Sequence, residues 1–482
     1  MIIIINNYLI ILNMNHHITY HKWNTKENRI FKKSCKDHLN IKDFQIYYPI
    51  FSLYFHIHNT KNARQLIDID RRYKLKEITE SNDYKYYNSN KLLKGKVYDS
   101  YLKESKEIDL FCKCMSILDP IHIMMNNYKI KNDLLPNNYI YNFQNKINNL
   151  NNSVYIDTFF SYITSELVIE KKLPSFPLFY GSINGILEEY KLDISDEYHE
   201  FITEKWFHKN IGDIFTIDLF VSETDSESNS ESNSDSSVSL YEDDDFICKF
   251  KDIPVQYLFI ERLEGTLEDF LQENINYNLI ISSLFQIIFA LAYLQKHYQF
   301  THNDLHINNV MYEKTETIYL YYKYNNIYFR IPTFGYIFKI IDFGRSIFTF
   351  KNKVFFNDSF SKYGEAEGQY HYPIPNVMLY KKNKYKIDIQ PNYSFDMCRL
   401  STTILDEIDN GNLELYQFLT NIVIDKDGNN IFETMTDSFD LYVDIAKNAC
   451  NGIPHELIYD DLFQKYRIKK KLFPKRDYYC MD

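Results

Sequence analysis

Twenty residues, LIISSLFQIIFALAYLQKHY (279–298), constrain the fold of this chain more than any other stretch. Ile281, Leu284, Phe285, Ile288 and Leu291 recur at intervals of three and four, the spacing of one helical face. Apolar side chains also run round much of the circumference, so the helix must lie in a core. It delivers the chain directly into THNDLHINNVMY (301–312), a loop dense in polar residues. Beyond the loop, IYLYYKYNNIYFRI (318–331) reads as a β-hairpin turning at Asn325-Asn326. YIFKIIDFG (336–344) reads as a buried strand that ends in a turn.

The loop and the strand end carry a recognisable chemistry. Phosphoryl transfer needs cradled phosphates, a divalent cation held by carboxylate and amide oxygens, and a carboxylate that orients the attacking hydroxyl. The pattern H-x-D-L-x-x-x-N followed by D-F-G supplies these groups. Here His302, Asp304 and Asn309 fill the first pattern, with asparagine five positions after aspartate, and Asp342-Phe343-Gly344 fills the second. A lone D-F-G recurs by chance, whereas helix, loop, hairpin, strand and D-F-G in this order is a specific series. The hairpin 318–331 accounts for the long interval between the two carboxylates. Asn303 and His306 stand where an arginine and a lysine are usual.

On these residues the chain resembles the protein kinase superfamily. More narrowly, H-N-D-L-H-x-N-N, a Tyr-rich hairpin and I-I-D-F-G-R-S resemble the haspin-like serine/threonine-protein kinases of giant (nucleocytoplasmic large) DNA viruses, over roughly residues 90–405. The resemblance implies an α+β, bilobal protein-kinase-like fold, with a β-rich N-lobe, a mainly helical C-lobe, insertions and terminal extensions. The expected organisation is an N-terminal extension of unknown role at 1–88, an N-lobe at 89–262, a C-lobe at 263–415, and a C-terminal helical extension with a basic tail at 416–482. In this frame Asn303 and His306 are family features.

Upstream, KLLKGKVYDSYLKESKEIDLFCKCMSIL (91–118) is strand-like, with a turn expected near Glu104–Lys106. Lys113, between Cys112 and Cys114, is the candidate to grip the α- and β-phosphates. Its acidic partner is expected on the helix VYIDTFFSYITSELVIEKKL (154–173), where Phe159, Ile163, Leu167 and Val168 share a face. Glu166 is the first choice there and Glu170 the competitor. A Pro-bounded strand, PSFPLFYGSI, follows. Of a glycine-rich phosphate loop only Gly95 remains, with Val97 a candidate to cover adenine. ERLEG (261–265), after the strand VQYLFI, offers Glu261 and Leu263 backbone groups to adenine, or is a plain strand-to-helix turn. Asp396, in PNYSFDMCRLSTTIL, is the candidate brace for the loop. No A-P-E triplet precedes it; GEAEGQYHYP (364–373) occupies that region.

Composition sets the remaining bounds. The formal net charge is −11, yet residues 222–245 alone hold nine acids and no Lys or Arg, which leaves the rest near −2. That Ser-rich segment reads as disordered, and the Asn-rich 120–152 as an insertion. The basic tail YRIKKKLFPKR (466–476) reads as a solvated terminus, with no nucleic-acid partner expected. Seven cysteines, with no C-x-x-C pair, suit a reducing compartment; the resemblance to viral kinases implies the host cytoplasm, with packaging in the virion as a further expectation. The opening MIIIINNYLIIL is too short to span a bilayer, and no membrane partner is expected. Residues 1–88 carry no motif.

The expected activity is ATP-dependent transfer to Ser/Thr hydroxyls of protein substrates, with ATP and Mg²⁺ (or Mn²⁺) as cofactors. Asp304, His302, Asn309 and His306 form the catalytic set, and Asn309 with Asp342 the metal set. A small-molecule phosphotransferase of the aminoglycoside- or choline-kinase kind, and a catalytically weak pseudokinase scaffold, stay open as alternatives. Oligomeric state is not legible.

Overall fold

The computed structural model describes residues 3–5, 8–10, 19–22, 25–46, 49–50, 67–83, 89–128, 134–136, 146–220, 245–272, 275–362, 364–370, 391–433 and 438–481. They mix helices with mainly antiparallel strands and group into two compact units. A sheet unit comprises residues 19–149 and 180–260, and a helical unit comprises 1–18, 150–179 and 261–482. Expected segments 222–244 and 371–373 lie outside the described residues, as does most of 129–145.

In the sheet unit, helix α1 (Thr25–Leu39) precedes β1 (Ile41–Gln45) and β2 (Tyr73–Asp83). Then come β3 (Lys91–Asp99), β4 (Glu104–Ser116), β5 (Phe179–Asp193), β6 (Thr216–Phe220) and β7 (Asp245–Glu261). They form one sheet in the order β1-β5-β7-β4-β3-β2, with β6 beside β7. The stretch without a sequence motif therefore supplies α1 and two strands of this sheet. Phe31 of α1 sets its ring edge-on to Phe44 and Phe259, at 5.8 and 6.3 Å between centroids. Each such buried ring contributes about 1.5–3 kcal/mol by leaving water. The β3–β4 turn falls at Ser100–Lys103, earlier than expected. Asp99 sets it there: its Oδ1 accepts from the backbone N–H of Tyr101 and Leu102, and Lys103 takes a left-handed φ of 57°.

The helical unit is built round α2 (Ser153–Ile169) and α3 (Tyr277–Tyr298). Asn276 caps α3 by accepting from the N–H of Leu279, and Gln299 ends it in the left-handed region at φ 51°. Nearly all of α3 is buried, including Ser282, Gln286 and Gln295. These polar side chains tie the helix to its neighbours: Ser282 donates to the Pro332 carbonyl, Gln286 accepts from the Phe338 N–H, and Gln295 donates to the Tyr393 carbonyl. The helix is long and apolar enough to cross a membrane, but it is the core of this unit.

Helix α2 is also buried on almost every side, so the expected four-residue face was too narrow. Phe160 explains why the helix belongs to this unit rather than to the sheet unit. Its ring stacks on Phe300 at 4.6 Å and contacts Phe343 and Phe348 at 5.1 and 4.4 Å.

Strands β8 (Gly265–Thr266), β9 (Val310–Lys314) and β12 (Tyr336–Ile340) form an antiparallel sheet. Between the last two, β10 (Tyr319–Tyr324) and β11 (Ile327–Pro332) make the expected hairpin. Asn325 and Asn326 turn it with φ of 47° and 61°, the two left-handed residues that a type I′ turn requires. The basic tail is folded rather than solvated along its length. Arg467–Ile468 pairs with β11, and Phe473 packs on Tyr328 at 4.8 Å. Its lysines stay exposed on a stem anchored by apolar contacts. Helices α4 (Phe395–Glu407), α5 (Leu413–Ile422) and α6 (Ser438–Asn448) complete the unit.

Candidate active site

Local sequence explains how the loop after α3 is shaped. Asn303 sits at φ 63°, a region that asparagine enters far more readily than most residues. Its buried amide donates to the carbonyls of Thr301 and Arg345, and its Oδ1 accepts from the Tyr370 hydroxyl at 2.8 Å. This small amide therefore fastens the loop to two other segments.

Asp396, near the start of α4, braces the same loop. Its carboxylate accepts from the His302 N–H at 2.9 and 3.0 Å and from the Asn303 N–H at 2.9 Å. Burial pushes its pKa up, while His302 and the two N–H donors pull it back. His302 is itself fully buried, and its Nε2 donates to the Ile341 carbonyl at 2.8 Å. It thus ties the loop to the residue before Asp342. Grouped with the catalytic set by sequence, it is here a fully buried tie between the loop and the strand end.

Asp304 is half-buried, with Oδ1 2.6 Å from the Tyr442 hydroxyl and 3.5 Å from Arg345 Nη1. Asn309 lies at the foot of β9. Its Nδ2 donates to the Asp304 carbonyl at 2.8 Å and lies 3.0 Å from His306 Nε2. Burial lowers the His306 pKa, so the imidazole is neutral near pH 7 and accepts through Nε2. With its N–H groups engaged, the Asn309 amide presents its oxygen as the remaining donor atom. The Ile341 N–H donates to the Asn309 carbonyl at 3.1 Å, and Val310 pairs with Ile340. Asn309 and Asp342 therefore emerge from neighbouring strand ends.

Asp342 takes a left-handed φ of 62°, and its Oδ1 accepts from the Gly344 N–H at 3.4 Å. The next residue, Phe343, is buried against Phe160, Phe176, Phe300 and His302. Its N–H donates to Asp157 of α2 at 2.9 Å. One carboxylate and one amide oxygen are hard donors of the kind Mg²⁺ or Mn²⁺ takes alongside water and phosphate oxygens. The residues present fit such an ion.

The other candidates are distributed over both units. Glu166 is half-buried on α2 with its Oε1 shielded from solvent, whereas Glu170 is an exposed C-cap. Glu261 is committed more deeply than expected. Its N–H donates to the Leu178 carbonyl at 2.9 Å, and its carboxylate accepts from the Leu178 N–H and from Lys339 Nζ at 2.6 Å. Only its carbonyl is left to meet a ligand through the backbone. Leu263 follows, half-buried, before β8.

In the sheet unit, Lys113 alternates as expected. Leu110, Cys112 and Cys114 are buried, and Phe111, Lys113 and Met115 are half-buried on the other face. Gly95 and Val97 lie within β3 rather than in a turn. A Cβ at Gly95 would stand 2.6 Å from Leu75 Cδ1 and 2.9 Å from the Glu77 carbonyl oxygen. Close approach of β2 thus gives Gly95 a packing reason, in place of the expected phosphate-loop geometry. The β2–β3 connection, residues 84–88, lies outside the described residues.

Sequence reasoning did not find Asp157, Arg345, Tyr370 or Tyr442. The first three stand within or beside segments that it had singled out. Tyr442 stands far along the chain on α6, without a local signal.

No family model matches the chain. It is similar to an Acanthamoeba polyphaga mimivirus protein named "Putative serine/threonine-protein kinase", at 28% identity over 198 residues, 38% of this chain and 46% of that protein. An Invertebrate iridescent virus 6 protein, named as uncharacterized, is 43% identical over 75 residues, 15% of this chain and 12% of its own length. The chain thus spans less than half the length of either relative. The first likeness supports a kinase-like family and a viral context.

Proposed function

We propose that this chain is an ATP-dependent kinase that transfers the γ-phosphate to Ser or Thr hydroxyls of protein substrates, in a bilobal protein-kinase-like fold. The observation that carries the proposal is the set Asp304, Asn309 and Asp342, held on one braced loop and two neighbouring strand ends. In this reading Asp304 accepts the acceptor's proton as its oxygen attacks phosphorus. The Asn309 oxygen and Asp342 would hold Mg²⁺, which would supply charge neutralisation on the phosphates. Lys113 is assigned the α- and β-phosphates, Glu166 the acidic role on α2, and Val97, the Glu261 carbonyl and Leu263 the adenine. His306, by holding an Asn309 N–H, would leave the amide oxygen available to such an ion. The mimivirus likeness supports the kinase class, and protein acceptors are inferred from that relative's name. The site of action proposed is the cytoplasm of an infected host.

A small-molecule acceptor is the second reading. It is favoured by His306, which engages Asn309 where a lysine would contact the transferred phosphate. The test is transfer from radiolabelled ATP, with Mg²⁺, to mixed protein substrates and to small alcohols. Wild type should label protein, and Asp304→Ala should lose about 10²–10⁴-fold. Equal labelling by the two would sink the proposal, and labelling of alcohols alone would favour the second reading.

A further inference from the structure

Helix α6 places one side chain on the candidate base. The Tyr442 hydroxyl donates to Asp304 Oδ1 at 2.6 Å, where an acceptor hydroxyl has to sit for its proton to be taken. Two guanidinium groups flank the ring: Arg399 Cζ lies 5.0 Å and Arg345 Cζ 5.5 Å from its centroid. Arg345 also stands 3.5 Å from the same Asp304 oxygen and 3.5 Å from Glu365. Burial and the neighbouring Asp304 charge hold the phenol above its ordinary range, so it keeps its proton to give. A tyrosine that served only to fill space would not need its oxygen on this carboxylate or two guanidinium groups near its ring.

We propose that Tyr442 is an internal phosphoacceptor of this chain, modified in place by its own Asp304. The proposal rests on the kinase reading above. In the step, Tyr442 Oη attacks the γ-phosphorus of ATP and forms the new P–O bond. The bond from that phosphorus to the β–γ bridging oxygen breaks, and ADP leaves with its electron pair. The phenolic proton passes to Asp304 and then to solvent. The product dianion would form near Arg345 and Arg399, whose fixed N–H forks suit phosphate oxygens. Until it is modified, Tyr442 occupies the acceptor position and keeps external hydroxyls from Asp304.

The experiment incubates the full chain with Mg²⁺ and ATP, with and without casein, and quantifies phosphate by peptide mass spectrometry. Wild type should carry phosphate at Tyr442, with a rate constant unchanged over a tenfold range of protein concentration. Asp304→Asn should slow this by about 10²-fold or more. Tyr442→Phe should lose that phosphopeptide and label casein several-fold faster than unmodified wild type.

Phosphate on casein or on other residues of the chain, with none at Tyr442, would overturn the proposal and leave the kinase reading standing. A rate that rises in proportion to protein concentration would overturn modification in place. Slower casein labelling by Tyr442→Phe would overturn it too, by making the hydroxyl a positioning group for Asp304. No transfer to any acceptor by wild type would bring down both readings.

Discussion

The loop of the helical unit and the sheet of the other unit hold their candidate residues by different means. Around Asp304, buried and half-buried side chains from distant segments meet: Asp396, Tyr370, Asp157 and Tyr442 all bond to the loop or to the D-F-G turn. Around Lys113 and Gly95, strand register does the positioning, and the paired charges Lys94–Glu80 and Lys96–Glu77 lie on the exposed face. The difference teaches where each region is vulnerable. A buried hydrogen-bond network is costly to open at any member, because each loss strands a polar group out of water. A register-held sheet is sensitive only where backbones approach closely, and tolerant on its solvent face.

That contrast can be broken by four measurements. The largest effect is expected from Asp396→Ala, which strands the N–H groups of His302 and Asn303. Each costs about 1–3 kcal/mol, so urea melts should show a loss of roughly 2–6 kcal/mol along with activity. A loss under about 1 kcal/mol would mean the brace is dispensable and the contrast false.

Next comes Gly95→Ala, where the added methyl meets Leu75 and the Glu77 backbone. Overpacking of this kind costs about 1–3 kcal/mol, read from the same melts. A neutral outcome would show that β2 yields easily, and would reopen Gly95 to other roles.

Smaller again is a pH effect in the helical unit. Burial raises the Glu313 pKa, opposed by Lys339 at 3.0 Å and reinforced by the neighbouring Glu261. Above the ordinary carboxylate range the folded chain keeps a proton there that the unfolded chain has released. Folding stability should therefore fall as pH rises from that range through the raised value, then level off. Glu313→Gln should flatten this slope between about pH 5 and about pH 8. A slope unchanged by the substitution would place its origin elsewhere.

Least of all should Lys94→Ala matter. Its partner Glu80 and the lysine itself are solvent-exposed, so the melting temperature should not move measurably. A clear drop would show that the exposed face of the sheet contributes more than register alone.

Some of this was legible in the residues because local rules dictate it. The α3 periodicity called for a core helix, and the Asn-Asn dipeptide called for a type I′ hairpin; both need only short-range sterics and burial. The spacing of His302, Asp304, Asn309 and Asp342 was readable for the same reason, since one short loop and one strand end carry it. Asp396 could be guessed from its helix, although its bonds to the loop span more than ninety positions. Tyr442 could not, because nothing near residue 442 hints at a partner 138 positions earlier.

By itself the sequence determined the local elements, the order of polar groups on the loop, and the hairpin that separates the two carboxylates. Tertiary structure alone decided that α2 packs in the helical unit, through the Phe160 cluster. It decided equally that His302 is a brace, that Gly95 is a packing glycine, and that a tyrosine rests on Asp304. The physical reason is range. Helix period, turn chemistry and strand alternation act over a few residues, whereas burial and charge pairing depend on which distant segments the fold brings together.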